Sequence, residues 1–126
     1  MSLWGPVVAY MALIFLLSSM TGLPAPPGRL GDKWAHLLEY AGLALLTLRA
    51  LAMGRLGDVR LPAAIGTVVI ALAYGLTDEI HQLFVAGREF DVWDLAADAI
   101  GAGVAAAAVW TWGIIRRSSG SASRRA

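Results

Sequence analysis

Apolar residues fall in four long blocks along this chain, from about Trp4 to Ser19, Lys33 to Met53, Leu61 to Leu83 and Asp94 to Ile115. The blocks lack the short amphipathic period of a soluble fold. A helix crosses a bilayer with about 20 mostly apolar residues, so the pattern predicts an all-α integral membrane protein, a four-helix bundle that nearly exhausts the chain. Between the first two blocks lies TGLPAPPGRLG at 21–31, whose prolines cannot continue a helix. Gly54 to Arg60 reads as a short charged turn, with Pro62 well placed at the start of the third helix. Val85 to Trp93 reads as a second short loop, or as a fifth, half-buried segment around Gly87 to Trp93. From Ser118 the sequence SSGSASRRA is polar and predicts disorder. The expected division is a transmembrane domain at 1–117 and a basic cytoplasmic tail at 118–126.

Composition agrees. Of 126 residues 58% are hydrophobic and only 15% charged, with a mean hydropathy of +0.65, too apolar for a soluble domain of this length. The absence of cysteine removes disulfides and thiolate ligands. A cleaved signal peptide is the rival reading of the first block, but no Lys or Arg precedes it and no A-x-A-like site follows.

Charge sets the expected orientation. With four spans, Arg49, Arg55, Arg60, Arg116, Arg117, Arg124 and Arg125 share one side, and Arg29, Lys33 and Arg88 the other. The positive-inside rule then places both termini in the cytoplasm of a multi-pass protein of the cytoplasmic (inner) membrane. Arg49, near the inner end of its helix, can snorkel to the headgroups. Trp4, Trp34, Trp93, Trp110 and Trp112 all fall near predicted helix ends, as an aromatic belt requires. Acids separate more sharply: Asp32, Glu39, Asp78, Glu79, Glu89, Asp91, Asp94 and Asp98 are outer, and only Asp58 is cytoplasmic. Both histidines, His36 and His81, are outer too. Acids contribute little to topology selection, so the outer surplus of negative charge needs another reason.

Helical spacing shows which of these side chains share a face. Asp32, His36, Glu39 and Tyr40 form one stripe entering the second helix, and Tyr74, Asp78, His81 and Gln82 repeat it at the outer end of the third. Asp94, Asp98, Gly101 and Ala105 lie along one face of the fourth. Glu79 points away from its helix's stripe, toward another helix or the surface. Asp78 and Asp98 are the deepest acids and need interior partners, for which His36, Tyr40, Tyr74, Gln82, Lys33 and Arg88 are the candidates. Ala71, Gly75, Gly101 and Ala105 would let the helices approach. Solvated loop or cap roles account for Asp32, Glu89 and Asp91, with Asp32 a possible N-cap of the second helix. A network that merely locks helices together would account equally for Asp78, Gln82 and Asp98. The four arginines of the tail region lack an aromatic partner for nucleic acid and read as an anchor or lipid contact.

Three segments, DKWAHLLEYAGLALL at 32–46, YGLTDEIHQLFVAGREFDVWDL at 74–95 and ADAIGAG at 97–103, together resemble the VanZ-like membrane protein family. The family pattern maps onto Asp32, Lys33, His36, Glu39, Tyr40, Asp78, Glu79, Gln82, Arg88, Asp91 and Asp94. Asp98 departs from it, standing where Asn is common, and so does Ala86, where Pro is common. The resemblance implies a multi-helix membrane protein linked, through the family's founding member, to resistance against the glycopeptide teicoplanin; it implies no known reaction.

Two functions fit the residues. In the first, the chain handles a lipid-linked or cell-wall component from outside. His36, Asp78 and Asp98, with Tyr40 and Gln82, would supply acid/base or metal chemistry. Lys33 and Arg88 would contact an anionic headgroup, with Asp32, Glu39, Glu79, Asp91 and Asp94 around it. A divalent cation held by His36, Asp78 or His81 would offset the negative surplus, although D-E-I-H-Q at 78–82 is not H-E-x-x-H. In the second, the outer rim binds or shields without catalysis and the buried acids are structural. A proton-coupled transporter fits less well, because the inner halves of these helices carry no acid.

Overall fold

The computed structural model describes residues 2–21 and 29–123. Among them are four α-helices, α1 (Gly5–Ser18), α2 (Arg29–Leu51), α3 (Leu61–Gln82) and α4 (Val92–Ser123), with a short 3-10 turn at Leu56–Asp58 and no strand. α3 and α4 are long and apolar enough to cross a membrane. α1, at 14 residues, is about 21 Å long, short of the ~30 Å hydrocarbon core. α2 has the length, but Arg29, Asp32, Lys33, Glu39 and Arg49 lower its apolar content.

Three boundaries differ from the sequence reading. α2 begins at Arg29, four residues early, so Asp32 lies inside its first turn and is not its N-cap. No fifth segment forms: Val85 to Arg88 is a turn closed by the Arg88 N–H on the Val85 carbonyl, with Gly87 at φ +79°. α4 continues from Ser118 to Ser123 where the composition predicts disorder; residues 124–126 lie outside the described residues. Trp110 and Trp112 therefore sit within α4, well before its end.

α2 ends in a Schellman motif. The Gly54 N–H reaches the Arg49 carbonyl at 2.8 Å and the Met53 N–H reaches Ala50 at 3.1 Å. Met53 occupies the left-handed position at φ +53°, where glycine is usual.

Packing depends on absent side chains. A Cβ on Gly101 would stand 2.1 Å from the Leu37 carbonyl oxygen, so α4 touches the α2 backbone at this crossing. Gly75 of α3 lies against Asp98 and Tyr40, and Gly42 of α2 accepts the Tyr10 ring of α1. Ala71 and Gly75, and with them Gly101, are buried as the small-residue reading expects. One core cluster gathers Val7, Ile14, Tyr40, Leu43, Ala44 and Ala102. The second, toward the turn between α2 and α3, gathers Leu48, Val59, Ala64 and Ala106. Beside these apolar clusters the bundle buries many polar side chains and exposes many large apolar ones. His36, Thr47, Thr67, Asp78, Glu79, Gln82, Asp94 and Asp98 are buried, while Leu38, Ile65, Val69 and Val104 are each more than half exposed.

Candidate functional site

The first turns of α2 and α4 and the last turns of α1 and α3 meet at one end of the bundle. Asp91 caps α4, its Oδ1 accepting the Trp93 N–H at 2.8 Å. Asp94 follows in the first turn, where the helix dipole favours a carboxylate. Four residues on, Asp98 occupies the same face one turn deeper. The three-residue offset between Lys33 and His36 along α2 brings both against this face.

The result is a continuous chain of polar contacts. Lys33 Nζ donates to Asp91 Oδ2 at 2.5 Å and also to Asp94 Oδ1. Asp94 Oδ2 lies 3.7 Å from His36 Nε2, and His36 Nδ1 lies 3.0 Å from Asp98 Oδ1. His36, Asp94 and Asp98 are all buried. With Nδ1–H donated to Asp98, the ring is fixed in one orientation and presents Nε2 toward Asp94. Asp32, His36 and Asp94 each bring one ligand atom within 4.8 Å of the others. Imidazole backed by a carboxylate on its second nitrogen is the arrangement metal-binding histidines usually have, so this trio, with Asp98 behind it, suits a divalent cation. The cleft beside it, of about 700 Å³, is lined by Asp32, Gln82, Arg88, Glu89, Asp91 and Asp94. Arg88 Nε is buried without a hydrogen-bond partner.

A second polar group joins α1 to α3. Ser18 Oγ donates to Asp78 Oδ1 at 2.6 Å, and Gln82 Nε2 approaches Asp78 Oδ2 at 3.5 Å. Ser19 donates to the Phe15 carbonyl at 2.6 Å. Its oxygen is 2.9 Å from His81 Nε2, which therefore serves as the donor to it, and the His81 ring packs on Phe15 at a centroid distance of 4.3 Å.

A family model described as VanZ/LLP1 matches residues 4–116. The chain belongs to the VanZ/LLP1 family. No curated protein and no solved structure matches it.

In this VanZ/LLP1 chain the expected site divides. Lys33, His36, Asp91, Asp94 and Asp98 form the linked network, with Asp32 beside it. Asp98 finds His36 as expected, and Asp78 finds Gln82 together with Ser18. Of the candidate metal ligands His36, Asp78 and His81, only His36 belongs to the metal-sized group among the described residues. Asp78 and His81 are engaged with α1 instead. Tyr40 is fully buried, with its hydroxyl unpartnered, and Tyr74 donates to the Met11 carbonyl at 2.5 Å. Glu39 is half-buried on α2. Glu79 is fully buried, not at the surface: its Oε2 accepts the Asp91 N–H at 2.8 Å and so ties the α3–α4 loop to α3. Ser18 and Ser19 were not singled out from the sequence. Two serines closing an apolar block were the available signal, but their partners lie 60 and 62 residues away.

Proposed function

We propose that this protein is a four-span bundle of the cytoplasmic membrane, with both termini inside, acting at its outer face on a lipid-linked or cell-wall component. The exposed large apolar side chains, and the polar ones buried among the helices, support the spanning reading. The distribution of arginines supports the orientation. The short α1 would be accommodated by local thinning of the bilayer or by its flanking residues.

The observation that carries the functional reading is His36, held through Nδ1 by Asp98 beside a polar cleft. In this reading Asp98 positions the ring, while Nε2 accepts a proton from a substrate hydroxyl or water, or ligates a cation with Asp32 and Asp94. Arg88 contributes an unpaired Nε–H to an anionic headgroup, and Lys33, paired with Asp91 and Asp94, holds the carboxylates in place. A link to glycopeptide resistance, teicoplanin included, is the biological setting the family suggests.

The alternative is a binding or shielding protein without catalysis. The double attachment of Lys33 favours it, because the same contacts would serve only to lock α2 to α4. Metal analysis of detergent-purified protein separates the two. Near-stoichiometric divalent metal in the wild type and none in His36→Ala supports the cation-assisted reading. No metal in either, with wild-type resistance or envelope phenotype retained by His36→Ala, overturns the chemical role of His36 and leaves the structural network.

A further inference from the structure

At the opposite end of the bundle, the 3-10 turn packs against α4 and forms a cleft of about 480 Å³ lined by Arg55, Gly57, Asp58, Trp112, Arg116 and Arg117. A second cleft, of about 530 Å³, shares Arg55, Asp58 and Arg117 and adds Arg60. Four arginines and one aspartate thus line the two adjoining clefts. Yet no ion pair forms between Asp58 and any of them among the described residues.

The cationic side chains are arranged, not merely clustered. Arg117 Nη1 donates to the Gly57 carbonyl at 3.2 Å and to the Val59 carbonyl at 3.4 Å. Arg116 lies over the Trp112 ring, 5.4 Å from its centroid. Both guanidinium groups pass close over a glycine: a Cβ on Gly57 would stand 3.1 Å from Arg116 Nη1, and one on Gly113 would stand 3.2 Å from Arg117 Nη1. Arginine held in this way offers forked donors to a phosphate. Next to the charges the surface is apolar, with Ile114, Ile115 and Leu61 exposed, which a soluble anion would not require.

We propose that this cleft binds the headgroup phosphate of an anionic phospholipid, with the acyl chains lying along Ile114 and Ile115. The site rests on the reading of this end as a membrane surface and is independent of the His36 chemistry. Arg55, Arg60 and Arg116 supply the charge, Trp112 the interfacial wall, and Arg117 ties the turn to α4.

Native mass spectrometry of detergent-solubilised protein, with added phosphatidylglycerol or phosphatidylcholine, tests it. The wild type is expected to retain one or two phosphatidylglycerol molecules in preference to phosphatidylcholine. Arg55→Ala/Arg116→Ala should lower that retention about thirtyfold, given the weight of each cation near an anionic lipid surface. Arg124→Ala/Arg125→Ala removes equal charge from the C-terminal segment and should retain lipid as wild type does. Circular dichroism of each variant confirms folding, and Arg55→Gln/Arg116→Gln, which removes the charge but keeps a polar, unbranched side chain, replaces any alanine variant that fails to fold. Equal retention of both lipids, equal loss in both double variants, or displacement of phosphatidylglycerol by millimolar inorganic phosphate would overturn the proposal.

Discussion

The Ser18 hydroxyl donates to Asp78 at 2.6 Å, between two side chains that are both buried and 60 residues apart in sequence. α1 makes few other polar contacts with the bundle, so this bond and the neighbouring Ser19–His81 contact set its register against α3. Ser18→Ala leaves a buried carboxylate short of a donor and should cost about 1–3 kcal/mol. A double-mutant cycle with Asp78→Asn, followed by SDS-titrated unfolding in micelles, should give a coupling above about 0.5 kcal/mol. Additive losses would show that the bond does not hold α1.

The His36–Asp98 pair distinguishes an acceptor from a charge. Asp98→Asn keeps an oxygen to accept the Nδ1–H and should cost less than about 1.5 kcal/mol, the ordinary value of one hydrogen bond. Asp98→Ala strands a buried imidazole and should lose about 3 kcal/mol or more. Unfolding midpoints of the two variants check the ordering. Identical midpoints would mean that His36 is satisfied elsewhere.

Much of this arrangement was legible in the sequence, because helical period puts Asp32 with His36 and Asp94 with Asp98 on single faces. The four helices followed from apolar blocks for the same reason. Pairing between helices was less legible. Periodicity says which residues share a stripe, not which stripe faces which, so His81 reads as a partner for His36 although it turns toward Phe15 and Ser19. Glu79 was similarly opaque: its partner is a backbone N–H, which has no sequence signature. The helical continuation to Ser123 escaped composition because serine and glycine report local preference alone.

Two glycines two residues apart on α4 should respond oppositely to alanine. Gly101→Ala drives a methyl into the Leu37 carbonyl and should cost about 3 kcal/mol or more by forcing α2 and α4 apart. Gly103→Ala meets nothing within 4 Å and should gain up to about 1 kcal/mol from helix propensity. Thermal unfolding in one detergent compares them. A tolerated Gly101→Ala would rule out the close crossing.

Met53 offers a stabilising change. Its left-handed backbone at the end of α2 costs a non-glycine residue about 1–2 kcal/mol, and the side chain is largely exposed. Met53→Gly should raise stability by about 0.5–1 kcal/mol after the added freedom of the unfolded chain is subtracted. An unchanged or lowered midpoint would argue against the Schellman geometry.

The contacts that secure Lys33 and His36 come from residues 58 to 62 positions later in the chain. At about 5–20 residues per second of synthesis, α2 emerges roughly 3–12 seconds before Asp91, Asp94 and Asp98 exist to neutralise it. During that interval the Lys33 ammonium has no carboxylate of α4 to pair with and must stay hydrated. The polar pairing of α2 is therefore completed only with α4, although α2 is made second.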